Sequence, residues 1–185
     1  MSLPLILIAI ISLIIFALVF AIILPGLTIL FTFPPSISTE RRMVRDVKNE
    51  ISKKLANSQK FYDLGSGSGK VCFSIAKKFP QMEIIGVEKF KLVYLLARAK
   101  LFFLPYKNLN LVNGDFFTTN ISEADFIFMF LTKSFLDKLT NKLLLEAKTG
   151  CLIFSNNFPI ERLGLYKKIE YRDFFTQRYL YIYKI

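Results

Sequence analysis

Apolar side chains follow three different rhythms along this chain. Residues 3–24, LPLILIAIISLIIFALVFAIIL, are apolar on every face, and no charged side chain occurs before Glu40. A helix rises about 1.5 Å per residue, so this run reaches about 33 Å, enough to cross a hydrocarbon core of about 30 Å. It predicts one transmembrane helix, interrupted at Pro25 and Gly26, with LTILFTF continuing as an interfacial segment to Phe33. A cleaved signal peptide fits less well. Its apolar part would run about 7–15 residues behind a basic start, and no Lys or Arg precedes this longer run. Arg41, Arg42, Arg45 and Lys48 follow it closely. Basic flanks stay on the cytoplasmic side. The expectation is a single-pass membrane protein that meets the bilayer through residues 3–24, with its C-terminal part in the cytosol.

The second rhythm is helical. TERRMVRDVKNEISKKL places Met43, Val44, Val47, Ile51 and Leu55 near one face, with Thr39 as N-cap. KVCFSIAKKF reads as a helix stopped by Pro80, KLVYLLARAKLFF as one ended at Leu104 and Pro105, and KSFLDKLTNKLLLEA as one closed near Gly150. The third rhythm is the short apolar run. KFYDL, EIIGVE, LNLVNGD, ADFIFMFL and CLIFSNN each read as a buried strand, and LYKKIEYR and RYLYIYKI could pair through a turn near Phe174 and Phe175. Strands alternating with helices predict a mostly parallel, doubly wound α/β sheet with a C-terminal antiparallel strand. The expected division is an anchor and interfacial segment at 1–33, a linker and leading helix at 34–58, and the α/β domain at 59–185.

Composition narrows the chemistry. There are 25 Lys+Arg against 14 Asp+Glu and no His, for a formal net charge of +11. Imidazole general bases and His-ligated metals are excluded. Cys72 and Cys151 form no CxxC pair and no zinc spacing, which points to a reducing compartment and to no metal site. All 25 basic residues follow position 40, so the charge belongs to the α/β part. Such basicity suits RNA, and it equally suits a face lying on anionic lipid. No appended RNA-binding motif is visible, which favours lipid.

One stretch carries candidate chemistry. FYDLGSGSGK, residues 61–70, puts three glycines between the first strand and the helix after it. Ligands of such sheets bind beyond the carboxyl ends of strands. Glycines let a ligand approach the backbone, and a helix start offers free N–H groups. A phosphate loop of the form GxxxxGK[ST] fails twice, since Leu64 stands where its first glycine belongs and Val71 follows Lys70. A GxGxxG dinucleotide fingerprint fails because the third glycine comes one position early.

An acid two residues before GxGxG resembles instead the signature of class I S-adenosylmethionine-dependent methyltransferases. The resemblance implies a Rossmann-like fold and S-adenosylmethionine as cofactor, without metal. It implies that Gly65, Ser66, Gly67 and Gly69 cradle the methionine portion, with Asp63 orienting it. Glu88, ending the second strand, would accept the ribose hydroxyls. Asp115, in NGDFF after the third strand, would meet the adenine amino group, and Phe116 would pack on the ring. Each of the last three has a plainer reading: a solvated acid, a turn aspartate, a core aromatic.

The acceptor is less legible. FLTK at 130–133 lacks the [ND]PP[YF] motif of amide and exocyclic-amine methyltransferases. The layout resembles the membrane-anchored protein-lysine methyltransferases related to the ATP synthase c-subunit lysine methyltransferase: an apolar span, FTFPPSIST, a helix, then DLGSGSGK. The chain departs from that group at Ser68 and Lys70, where an acid and Arg are common. The resemblance implies N-methylation of lysine in a membrane-associated protein. Candidate acceptor-channel residues are Phe33, Pro34, Pro35, Leu131, Thr132 and Asn156. No catalytic base is required, because a desolvated lysine loses its proton more readily. The alternatives are an RNA or small-molecule methyltransferase and an inactive membrane scaffold.

Overall fold

The computed structural model describes residues 4, 10–20, 37–56, 58–172 and 177–185. The chain divides into two compact units, Met1–Ile37 and Ser38–Ile185. In the first unit, residues 10–20 are helical (α1) and their apolar side chains are exposed, Leu13 and Phe16 at 69% and 67%. Among the described residues no helix is long and apolar enough to cross a membrane. Apart from Pro4 and residues 10–20, the predicted span lies outside the described residues. So do Phe33, Pro34 and Pro35, and the turn expected near 174 and 175.

The second unit is built on a seven-stranded sheet in the order β3-β2-β1-β4-β5-β7-β6. Its elements are α2 (Ile37–Ser52), β1 (Lys60–Leu64), α3 (Lys70–Lys78), β2 (Glu83–Glu88), α4 (Lys91–Phe103), β3 (Leu109–Asn113), β4 (Phe126–Met129), α5 (Lys133–Glu146), β5 (Leu152–Asn156), β6 (Leu165–Arg172) and β7 (Gln177–Lys184). Strands β1 to β5 are parallel, and β7 runs against both of its neighbours, β5 and β6. Strands β4 and β5 are buried at every position, because helices cover both faces of the sheet centre. Edge strand β6 is largely exposed and carries Lys167, Lys168 and Glu170, charges that blunt a free edge.

Alternating strand residues feed two cores. On one face Phe61, Ile84, Phe126 and Phe154 pack with α3, with Ala97 of α4 and with Met43, Val47 and Ile51 of α2. On the other, Tyr62, Ile85, Ile127 and Ile153 pack with Leu136, Leu139 and Leu143 of α5. Helix α2 therefore shares the sheet's core rather than leading up to it. Two contacts reinforce it: Tyr171 donates from its hydroxyl to Asp46 Oδ2 at 2.9 Å, and Lys167 Nζ reaches Glu50 Oε1 at 2.6 Å. It starts at Ile37, so Thr39 lies in its first turn instead of capping it.

Candidate functional site

The order β3-β2-β1-β4 means that the chain leaves β1 in one direction along the sheet and returns to its other side at β4. The crevice of such a sheet opens at this reversal, beyond the carboxyl ends of β1 and β4. The loop 65–69 fills that place. Its glycines have φ of +85° (Gly65), +55° (Gly67) and +75° (Gly69), backbone that other residues adopt at a cost of roughly 1–2 kcal/mol. Gly65 and Ser66 donate their N–H groups to Val87 O at 2.9 and 3.0 Å, which seats the loop on β2. A Cβ on Gly67 would meet nothing within 4 Å, so that glycine leaves free space over the strand ends.

Glu88 ties this loop to the next one. Its Oε2 accepts the Gly67 N–H and its Oε1 the Phe90 N–H, both at 2.8 Å, and it is only 7% exposed. Asn113 at the end of β3 donates through Nδ2 to Glu88 O at 2.8 Å and Lys89 O at 3.1 Å. The acid is thus aimed by three neighbouring segments, and its remaining lone pairs stay available for hydroxyl donors.

Asp63 is buried at the end of β1, 2% exposed. The Cys72 thiol, on the first turns of α3, donates to its Oδ2 at 3.2 Å. No described residue donates to Oδ1. Burial pushes this carboxyl up to about 7; the thiol offsets part of that, and the Glu88 charge adds to it. Burial, then the adjoining Asp63, push the Cys72 thiol up as well. A buried carboxylate with no cation beside it among the described residues is poised for a ligand that brings one. The α-ammonium of S-adenosylmethionine would supply it, so the residues present fit that cofactor.

Asp115 takes up an Asx turn, Oδ1 accepting the Phe117 N–H at 2.9 Å, while its Oδ2 pairs with Lys89 at 2.9 Å. Those two partners, the backbone N–H first, hold its carboxyl below the ordinary range. Phe116 is a core residue, 7% exposed, with the Phe117 ring tilted against it at 4.6 Å and Phe135 edge-on at 6.1 Å. The plainer reading of Phe116 describes its place in the fold.

A cavity of about 230 Å³ opens beside the loop. Its lining combines Asp63, Gly65, Ser66, Gly67 and Lys70 of the β1–α3 segment with Glu40, Met43, Phe128, Phe130 and Asn156; Asp63 and Phe128 are paired neighbours on β1 and β4. Asn156, a channel candidate from the sequence, lines this cavity. Leu131 and Thr132 do not line this cavity: Leu131 Cδ2 would lie 3.1 Å from a Cβ on Gly65, and Thr132 is the N-cap of α5. Glu40, Met43, Phe128 and Phe130 were not foreseen. Phe130 lies inside the apolar run 126–131, one residue beyond the end of β4, where it is 53% exposed. Glu88 and Asp115 are outside the cavity lining. A ligand held by both groups would extend from the cavity across the strand ends.

Comparison with known proteins agrees with this geometry. The profile of the ANTKMT methyltransferase domain matches residues 63–166. A protein-lysine N-methyltransferase of Saccharolobus islandicus (strain REY15A) is 30% identical over 158 residues, covering 82% of this chain and 93% of that protein. An RNA methyltransferase from Salinibacter ruber, solved with S-adenosyl-L-homocysteine, superposes with a TM-score of 0.64 at 21% identity over 82% of this chain and 92% of that one. The M1A22 tRNA methyltransferase of B. subtilis superposes with a TM-score of 0.60 at 12% identity, over 74% and 64% of the two chains. At such identities the last two speak for the fold alone.

Proposed function

Because the chain belongs to the ANTKMT methyltransferase family, we propose that it moves the methyl group of S-adenosylmethionine onto the side-chain nitrogen of a lysine in a membrane-associated protein. The observation that carries this reading is the lining of the cavity beside the loop. A glycine loop with a buried acid shares its lining with Glu40, Phe128 and Phe130, an acid and two rings suited to a lysine. The lysine relative supports the same acceptor class.

When bound, S-adenosylmethionine supplies a methyl carbon that an unprotonated amine can take as the sulfonium becomes a thioether. The chain's own residues have four tasks. Asp63, ionised, holds the ammonium end. Glu88 accepts hydroxyl donors while its backbone partners fix its direction. Glu40, paired with Lys70 Nζ at 3.4 Å beside the cavity, draws an incoming ammonium toward it. Phe128, Phe130 and Met43 then surround the stem with apolar surface, which disfavours the charged form of the amine. Its proton leaves toward solvent on the Glu40 side. Alignment of this kind supplies several kcal/mol without a dedicated base.

The apolar run at 3–24 anchors the enzyme, with the catalytic unit on the cytoplasmic side. Its length, its lack of charge and the basic residues from Arg41 onward support this. Intact-mass comparison of membrane proteins from cells with and without the chain tests the proposal. The expected result is an acceptor heavier by one or more methyl groups, mapped to lysine. Methylation confined to RNA would overturn it.

A further inference from the structure

Helix α4 is apolar on two opposite sides. Val93, Tyr94, Ala97 and Leu101 face inward; Ala97 is buried and the other three are half-buried. The other side bears Leu92, Leu95, Leu96, Phe102 and Phe103, exposed at 78%, 48%, 69%, 81% and 78%. Counted from Leu92 they stand three, four, ten and eleven residues on, with Ala99 at seven, which draws one continuous stripe on a helix turning about 100° per residue. Phe90, the residue before the helix, adds a ring exposed at 72%, and Leu104 after it is exposed at 49%. A helix that served only the sheet would carry polar residues there.

The charges around the stripe are one-signed. From Lys89 to Gly114 there are five basic residues, Lys89, Lys91, Arg98, Lys100 and Lys107, and no acid. On the same turn of about 100° per residue, Lys91 and Arg98 fall along one margin of the stripe and Lys100 along the other. A protein partner would need both an apolar groove and a ring of acids. An anionic bilayer offers both at once, since Lys and Arg stems lie along apolar surface while their heads reach the phosphates.

We propose that α4 lies in the interface of an anionic membrane, with the 92–103 stripe among the upper acyl chains and Lys91 and Arg98 at the headgroups, while Lys100 Nζ stays 4.2 Å over the Phe73 ring. This gives the catalytic unit a second membrane contact, separate from residues 3–24, and so fixes which of its faces meets the bilayer. Basic residues near such a surface are drawn to its anionic headgroups, and salt screens the attraction. This contact requires neither a particular acceptor nor turnover.

The test uses the full chain in vesicles. Cys72 and Cys151 are buried, so an environment-sensitive fluorophore can be placed selectively at Leu96→Cys, at Phe103→Cys, or, as control, at exposed Lys138→Cys on the α5 face. Flotation first reports membrane association. In phosphatidylglycerol-containing vesicles with nitroxide on the acyl chains, labels at 96 and 103 should shift to the blue and lose intensity, and the label at 138 should do neither. Lys91→Gln with Arg98→Gln should remove the preference for anionic over neutral vesicles. Floated protein whose labels at 96 and 103 stay wet overturns the α4 contact and leaves the anchor standing; protein that fails to float overturns both. Blue-shifted labels that lipid-borne quenchers do not reach would mean that protein covers the stripe, from a second copy or residues 1–33. That also overturns the lipid reading.

Discussion

Replacing Asp63 by asparagine separates the site's electrostatics from its packing. The carboxyl is buried, and its pKa stands at about 7 against an ordinary 3.8, chiefly through desolvation. A raised acid binds its proton more tightly when folded than when unfolded. Its contribution to stability is therefore complete below about pH 4 and is lost as pH rises from there through about 7. Three pKa units at 1.36 kcal/mol each put the loss at about 4 kcal/mol at most. The amide of the Asp63→Asn variant cannot ionise, so that protein escapes the loss. Urea unfolding of the full chain in detergent, without cofactor, gives the test when the two proteins are compared from about pH 4 to 8. The variant should gain on the wild type across the interval and hold its advantage above about pH 7. All other carboxyl groups are common to both, so the difference reports this one. S-adenosylmethionine should reverse the ranking at about pH 8, because its ammonium favours ionised Asp63. A stability difference that stays flat across the interval would refute the assignment of a buried carboxyl lacking a cationic neighbour.

Three further predictions concern the neighbours. Gly67→Val combines a φ of +55° with a side chain in open space over the strand ends. It should cost roughly 1–2 kcal/mol of stability and abolish cofactor binding in calorimetry; unchanged affinity would move the cofactor elsewhere. Glu88→Gln sets an amide N–H against a backbone N–H of Gly67 or Phe90. It should lose about 1–3 kcal/mol in stability, read by melting, and weaken cofactor affinity; a variant with normal affinity but no turnover would contradict the ribose role. Phe130→Ala should raise KM for the acceptor and leave cofactor affinity unchanged, and the opposite pattern would take Phe130 out of the acceptor wall.

The parallel sheet was legible because its strands are apolar runs closed by glycine, proline or charge. KFYDL and EIIGVE occupy the same residues in sequence reading and structure. The glycine loop, Asp63 and Glu88 were legible because each stands where a strand ends. What escaped depends on partners distant in sequence. Residues 34–58 read as linker and leading helix, yet Met43, Val47 and Ile51 find their core partners in strands that no local pattern connects to them. Glu88 read as a ligand group alone, yet it also ties two loops together through backbone N–H groups that have no side-chain signature. Phe116 and Phe130 are alike in sequence; only the placement of α5 and the end of β4 sends one inward and one out.

Everything proposed for the cavity turns on a methyl group passing from S-adenosylmethionine to a lysine nitrogen. The most direct measurement gives the purified full chain S-adenosylmethionine with a deuterated methyl, together with membrane proteins and with RNA in separate reactions, and follows the label by hydrolysis and mass spectrometry. Label should be recovered as Nε-methyllysine from the membrane proteins, and none with the Gly67→Val enzyme. Label recovered in RNA nucleosides instead, or undiminished transfer by the Gly67→Val enzyme, would contradict it.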